Sequence, residues 1–253
     1  AAEAQSKVIQ AENDRKSIEL EEARQLQLSM LPKALPQLPN LEIAVYMKTA
    51  TEVGGDYYDF STKNDGSLNI ALGDATGHGM KAGTLVSMMK SLFTANSIDK
   101  SLEDFFNTSN EALKNSRLDK MMMAFAMLNI NSNKLKIANA GIPPVYIYRK
   151  KKNDVEEINL YGLPLGAMNN SKYDIYESDL AGGDIILLLS DGLPELKNEK
   201  DEQYNYARVK DEFKLAAEKS PNEIVEHLNN SAFRWINGVE PDDDVTFVVI
   251  KVK

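Results

Sequence analysis

The chain has 253 residues, 43% of them hydrophobic, which is enough for one sizeable domain and an appended segment. Its 29 basic and 38 acidic residues give a formal charge of −9, which would repel a nucleic-acid backbone, and the absence of cysteine excludes disulfides, thiolate zinc sites and cysteine nucleophiles. The absence of cysteine is compatible with a cytoplasmic location. The longest strictly apolar run, Met121 to Leu128, is far shorter than the roughly 18 residues of a membrane span, so we expect no membrane contact by this chain.

The first 31 residues predict one long helix, because they contain no glycine or proline and are rich in Ala, Glu, Gln, Arg and Lys. Val8, Ala11 and Ile18 lie close to a heptad seam, which favours a coiled coil and a homodimer. Arg15 and Glu22 occupy the same seam, so a helix that simply caps the next domain is about equally well supported. The helix lacks a start signal, and we expect it to continue from an upstream sensor domain of a larger protein, with a membrane-bound protein as one alternative.

Residues 32–253 predict one compact domain, entered through a linker with prolines at positions 32, 36 and 39. Apolar periodicity predicts a first hairpin of strands over 42–49 and 68–72, helices over 80–96 and 102–113, several β-like segments between 121 and 189, helices over 208–217 and 224–236, and a strand over 245–252. Because strands and helices come in blocks, a doubly wound parallel sheet is disfavoured. We expect an α+β fold of packed antiparallel sheets with helices outside, in αββα layers.

Four aspartates stand at strand ends or in turn-like segments, where a carboxylate can project from rigid backbone into a cleft: Asp56, Asp74, Asp191 and Asp243. A single Asp-Gly pair is most often a solvated turn, and Asp65-Gly66 is interpreted as one. Asp74 and Asp191, however, follow apolar strands that would bury their ends near the carboxylates. Burying carboxylates close together is costly unless a cation compensates, so the pattern indicates a metal site.

The kind of metal follows from the residue types. Mg²⁺ and Mn²⁺ take oxygen ligands, keep several waters and need neither histidine nor cysteine. The chain has only two histidines, which makes a histidine-rich zinc site improbable.

Six sequence blocks, in order, resemble the bacterial SpoIIE/RsbU-type branch of the metal-dependent serine/threonine phosphatases related to protein phosphatase 2C. They cover about Leu28 to the C-terminus. The blocks are Val53-Gly54-Gly55-Asp56-Tyr57-Tyr58-Asp59-Phe60, Gly73-Asp74 through Gly77-His78-Gly79, Ala138-Asn139-Ala140-Gly141-Ile142-Pro143-Pro144, Gly162-Leu163-Pro164-Leu165-Gly166, Ser190-Asp191-Gly192 and Asp242-Asp243-Asp244-Val245-Thr246.

This resemblance implies a ligand set and a reaction. Asp56 and Asp74 would hold two Mn²⁺ or Mg²⁺ ions with help from the Ala75 backbone carbonyl, and Asp191 and Asp243 would complete the shell of the second ion. A metal-activated water would then attack the phosphorus of a phosphoserine or phosphothreonine in line, so that no protein nucleophile is needed.

Three side chains stay open between two roles. His78 is either the general acid for the leaving oxygen or a loop histidine with a packing role. Asp59 and Asp244 either support the metal ligands or are purely structural.

The resemblance also implies partners. The substrate would be a phosphorylated anti-sigma-factor antagonist, and an upstream sensor or regulator would act through the N-terminal helix. We hypothesise that residues 1–31 transmit a signal to the helix over 80–96, whose start is joined to Asp74 by the short glycine loop. A shift of that helix would move a metal ligand.

Two other functions compete with this one. Asp242 to Thr246 satisfies the Asp-x-Asp-x-Thr pattern of haloacid-dehalogenase-type phosphatases, in which Asp242 would be a covalent nucleophile. That fold needs the motif after an early strand of an alternating chain, whereas here it precedes the last strand. The other alternative is a catalytically inactive regulatory scaffold, which the presence of all four expected carboxylates argues against.

Overall fold

The computed structural model describes residues 2–50, 53–118 and 120–253, and these form ten strands and six helices. The strands are β1 (Leu41–Lys48), β2 (Asp56–Thr62), β3 (Leu68–Ala75), β4 (Met123–Asn131), β5 (Lys134–Ala140), β6 (Val145–Arg149), β7 (Asp154–Ile158), β8 (Ile175–Asp179), β9 (Ile185–Leu189) and β10 (Val245–Val252). The helices are α1 (Ala2–Met30), α2 (Met80–Asn96), α3 (Leu102–Asn115), α4 (Gly192–Glu195), α5 (Tyr206–Ala216) and α6 (Pro221–Ile236).

The strands form two five-stranded antiparallel sheets. Sheet I has the order β1-β10-β9-β6-β7, and sheet II has the order β2-β3-β4-β5-β8. One apolar core lies between the sheets, a second lies between sheet I and α5 and α6, and a third lies between sheet II and α2 and α3. The expected α+β fold with αββα layers is therefore confirmed.

The alternation along β3 shows how this fold places a carboxylate. Leu68, Ile70 and Leu72 face the core between the sheets, whereas Ala71 faces the helices on the other side of sheet II. Side chains alternate between the two faces of a strand, so Asp74 continues the inward-facing series. The inner face of the sandwich thus changes from apolar to acidic at the last inward-facing position of β3.

The first hairpin expected from the sequence is wrong in one strand. β1 pairs with β10 in sheet I, and β3 lies between β2, which begins at Asp56, and β4. No strand is predicted over 56–62, because Asp56 is expected only at a strand end or in a turn-like segment. The turn between β2 and β3 does lie at Asp65, whose carboxylate accepts hydrogen bonds from the N–H and hydroxyl of Ser67.

Helix α1 is exposed along most of the part whose side chains are described, and only its last turns pack against the domain. Ile18 is 61% exposed, which leaves this apolar side chain without a partner in the single chain. The side chains of Val8 and Ala11 lie outside those that the structure describes, so the heptad seam stays a prediction. Within the described ranges, none of the helices combines the length and the apolar character needed to cross a membrane.

Candidate metal centre

Asp56 and Asp74 lie directly opposite each other in the β2–β3 ladder. Opposite residues of an antiparallel pair point to the same face with Cβ atoms about 5 Å apart, so both carboxylates face the space between the sheets. Ser190, which follows β9 in sheet I, donates a hydrogen bond from Oγ to Asp56 Oδ2 (2.8 Å). The predicted proximity of Asp56 and Asp74 is thus present, although β2 rather than β1 produces it.

Asp191 and Asp243 come to the same end of the sandwich from sheet I. Asp191 follows β9 and begins the short helix α4, and Asp243 lies just before β10. The ends of these strands are held together by a backbone hydrogen bond from Ser190 N–H to the Thr246 carbonyl (2.9 Å). The four aspartates singled out in the sequence therefore meet at one edge of the sandwich.

Their proximity is evident in their pKa values. Burial, followed by the charges of Asp191 and Asp243, raises the pKa of Asp74 to about 8. Burial and the charge of Asp243 raise the pKa of Asp191 to about 6. The pKa of Asp56 is raised well above its ordinary value by burial and by Asp74, and that of Asp243 is raised by burial. Without a cation, full ionisation of this cluster at neutral pH is costly.

Asp244 has a structural role. Its carboxylate is buried and accepts hydrogen bonds from the backbone N–H groups of Ala50 (2.8 Å), Gly55 (2.6 Å) and Asp56 (3.2 Å). A Cβ at Gly54 would collide with this carboxylate, which explains the glycine there. Asp244 therefore holds the segment that enters β2 through these hydrogen bonds, and its charge also contributes to the raised pKa of Asp56 and Asp74.

Asp59 faces away from the cluster, toward the helices on sheet II. It accepts hydrogen bonds from the Tyr57 hydroxyl (2.6 Å) and the Phe60 N–H (2.9 Å), and it forms an ion pair with Lys90 on α2 (2.6 Å). This buried pair fastens α2 to the strand that begins with Asp56. Its role is to join two elements, because its oxygens are already occupied.

The glycine loop after β3 places further oxygens beside Asp74. A Cβ built on Gly55 would lie 2.7 Å from the Ala75 carbonyl oxygen and 3.2 Å from both Asp74 Oδ1 and the Gly77 carbonyl oxygen. Glycine at position 55 therefore leaves open a small space lined by oxygen atoms. The Ala75 carbonyl, expected to assist the metal, borders this space.

His78 lies on the same loop and is exposed, so it has no packing role in a core. A positive charge on its ring would lower the pKa of Asp243, which places the imidazole beside the cluster. Asp242, by contrast, is 80% exposed and pairs with Lys197 (3.2 Å). The position of Asp242 outside the cluster does not favour it as a nucleophile.

Sequence reasoning missed Glu195, which contributes to the raised pKa of both Asp74 and Asp191. It lies one turn after Asp191 on α4, where its N–H donates to the Asp191 carbonyl (3.0 Å). The spacing of four residues within Asp-Gly-Leu-Pro-Glu was visible in the sequence and is the signal that could have found it.

The donor set fits a hard divalent cation. Across the described residues, no group of three or more His, Asp or Glu side chains is arranged to hold one ion by itself. Magnesium is nevertheless commonly bound by one or two carboxylates and retains several waters, and manganese accepts the same oxygen ligands. Paired aspartates, an adjacent backbone carbonyl and open space at Gly55 meet that requirement.

The family model described as Stage II sporulation protein E (SpoIIE) matches residues 64–253. The chain belongs to the SpoIIE family. Its sequence is 30% identical over 247 residues to that of the phosphoserine phosphatase RsbU of Bacillus subtilis. This match covers 93% of this chain and 70% of RsbU. The chain is 24% identical to Protein IcfG of Synechocystis sp., where the match covers 92% of this chain but only 41% of IcfG.

Solved structures show the same fold for this SpoIIE-family chain. The SiaA-PP2C domain of Pseudomonas aeruginosa superposes with a TM-score of 0.82 at 20% identity, covering 96% of this chain and 98% of that domain. A structure of RsbX in complex with magnesium gives a TM-score of 0.67 at 17% identity, covering 87% of this chain and 99% of RsbX. The predicted family and enzyme class, a protein serine/threonine phosphatase, are confirmed by the family match and by RsbU together.

Proposed function

We propose that this chain is a metal-dependent protein serine/threonine phosphatase that hydrolyses the phosphoserine or phosphothreonine of a protein with a metal-activated water. The observation that carries the proposal is the meeting of Asp56 and Asp74 from sheet II with Asp191 and Asp243 from sheet I at one edge of the sandwich. Neither sheet alone would assemble this cluster. Burial and mutual repulsion raise the pKa values of these carboxyl groups, and a bound cation would offset the cost of ionising them.

The residues have separate tasks in this mechanism. Asp56 and Asp74, with the Ala75 carbonyl, would hold two Mn²⁺ or Mg²⁺ ions, and Asp191 and Asp243 would complete the coordination shell of the second ion. When bound, such ions lower the pKa of a water toward neutrality and stabilise negative charge on phosphate oxygens. Ser190 fixes the orientation of the Asp56 carboxylate through its hydrogen bond.

The leaving group also needs a proton. His78 is exposed beside Asp243, where it can approach the seryl or threonyl oxygen of a bound substrate. We infer that it acts as the general acid, since a protonated imidazole can donate a proton to a leaving oxygen.

The substrate and regulation are proposed from the likeness to RsbU. We infer that the substrate is a phosphorylated anti-sigma-factor antagonist and that an upstream sensor acts through residues 1–31 on the phosphatase domain, residues 32–253. Support comes from the packing of α1 against α2: Ala23, Leu26 and Met30 on α1 line a small cavity of about 100 Å³ with Met80 and Thr84 on α2. The exposed apolar side chains along α1 leave room for a partner or a second copy.

The test is phosphate release from a phosphoserine protein and from a small aryl phosphate, with and without Mn²⁺. Asp74→Asn and Asp191→Asn should each lower turnover by at least about a hundredfold, because each removes a charged ligand. Asp65→Asn is the matched control, since Asp65 lies in the exposed β2–β3 turn, and it should keep full activity.

Other outcomes would favour the alternatives. Full activity of Asp74→Asn would contradict the metal assignment. No metal-dependent release by the wild type, even in excess Mn²⁺, would favour a scaffold. Trapping of a phospho-aspartate at Asp242 would favour the haloacid-dehalogenase mechanism.

A further inference from the structure

Gln27 is the one buried polar side chain on the described part of α1, with 5% of its surface exposed. Its amide makes two hydrogen bonds to a single residue on the sandwich. Nε2 donates to the Gly54 carbonyl (2.7 Å), and Oε1 accepts from the Gly54 N–H (3.1 Å). One side chain therefore satisfies both backbone polar groups of Gly54, as a neighbouring β-strand would.

Gly54 lies two residues before Asp56, in a segment that is held on every side. Asp244 accepts from the N–H groups of the next two residues, Gly55 and Asp56. A side chain at position 54 would collide with the Asp244 carboxylate, so Asp244 packs directly against the backbone of Gly54. The Gln27 amide and the Asp244 carboxylate thus both hold the backbone that leads to Asp56.

The same segment also contacts the loop that carries Asp74. The Ala75 N–H donates to the Gly55 carbonyl (3.0 Å), and the Gly79 N–H donates to the Val53 carbonyl (2.9 Å). Residues 53–55 therefore lie between α1 and both ends of the glycine loop. Movement of the Gly54 peptide would displace Asp56 directly and Asp74 through Ala75.

We propose that Gln27 is a positioning residue, whose amide holds the Gly54 peptide so that Asp56 and Asp74 are correctly spaced for metal binding. This inference rests on the proposed metal-dependent function and refines its regulation. The signal carried by α1 reaches the site through the Gln27–Gly54 contact, in addition to any movement of α2. A rotation or withdrawal of the end of α1 would break both hydrogen bonds at once.

The test compares Gln27→Met, which keeps the length of the side chain but loses both hydrogen bonds, with Gln25→Met. Gln25 lies on the same helix, is exposed and donates a hydrogen bond from its amide to Glu21 on α1, so it is a matched control. Mn²⁺ binding is measured from the electron paramagnetic resonance signal of free Mn²⁺, which is independent of turnover. We expect Gln27→Met to bind Mn²⁺ at least tenfold more weakly, with kcat at saturating Mn²⁺ within about threefold of wild type.

A second measurement uses the wild-type protein and stands even if Gln27→Met does not fold. In metal-free wild type, hydrogen exchange at the Gly54 amide should be slowed at least tenfold relative to exposed loop amides. Free exchange at Gly54, unchanged Mn²⁺ affinity in Gln27→Met, or an equal loss in Gln25→Met would each overturn the proposal. A wild-type protein that binds no Mn²⁺ would overturn the proposed metal-dependent function as well. Normal Mn²⁺ binding by the wild type with any of the three results above would overturn only the role of Gln27.

Discussion

Replacing Asp74 by Asn should stabilise the metal-free protein at alkaline pH while abolishing its activity. The carboxyl of Asp74 has a pKa of about 8 in the folded chain, because it is partly buried among Asp191 and Asp243. In the unfolded chain its pKa returns to about 4. Between these values the folded state binds a proton that the unfolded state releases, so the free energy of unfolding falls as the pH rises from about 4 to 8.

The size of the effect follows from that difference. For one isolated group, pKa values of about 8 and 4 correspond to a loss of about 5 kcal/mol at pH 8 relative to pH 4. Asp191 and Asp243 share the protons of the cluster, and solvent reaches its open side. We therefore expect Asp74 alone to lower the free energy of unfolding by about 1–3 kcal/mol at pH 8 relative to pH 4. Asparagine keeps the shape and cannot ionise, so it should recover this amount at pH 8 and almost none at pH 4.5.

Urea denaturation in the presence of EDTA measures this, with Asp65→Asn as a control that should change stability little at either pH. Added Mn²⁺ should raise the stability of wild type at pH 8 more than that of Asp74→Asn, because metal binds only the folded cluster. Lower or equal stability of metal-free Asp74→Asn at pH 8 would refute the reasoning, since it would mean that the Asp74 carboxylate already has a compensating partner.

Three further outcomes are expected. Asp244→Ala should lower the free energy of unfolding in urea by about 3 kcal/mol, because three backbone N–H groups lose their acceptor. The control Asp242→Ala, at an exposed position, should change the free energy of unfolding by less than about 0.5 kcal/mol. Lys90→Met should cost about 3 kcal/mol by leaving Asp59 buried and unpaired, and the double variant with Asp59→Asn should recover part of it in a thermal melt; no recovery would show that the pair does not act as a unit. Deleting residues 1–25 should change the oligomeric state, measured as mass in solution, or the Mn²⁺ affinity; if neither changes, α1 is only a linker.

Much of the fold was predictable because its signals are local. The periods of helices α2, α3 and α6 are visible in consecutive residues, and the cap at Ser220 with proline following it marks the start of α6. The blockwise order of elements excluded alternating α/β architecture. The four aspartates were visible for a similar reason, since Asp56, Asp74 and Asp191 each stand next to a glycine and Asp243 lies just before the last apolar strand.

Pairing between distant segments could not be predicted in the same way. β1 and β3 look like a hairpin in the sequence, but β1 pairs with β10 along its whole length and forms the edge of sheet I. β2 was missed since its buried Asp59 resembles a turn residue until Lys90, 31 positions later, supplies the compensating charge.

The residue types available for chemistry are visible in the linear chain: many hard oxygen ligands, no cysteine and two histidines. Their roles depend on how the chain folds. Asp243 and Asp244 are adjacent and chemically identical, yet one faces the acidic cluster while the other is used up by three backbone N–H groups. Likewise Gln25 and Gln27 are both glutamines of α1, but Gln27 is buried against Gly54 of the sandwich, whereas Gln25 is exposed and bonds to Glu21. The physical reason is that a side chain's role depends on burial and on partners that long-range packing brings to it.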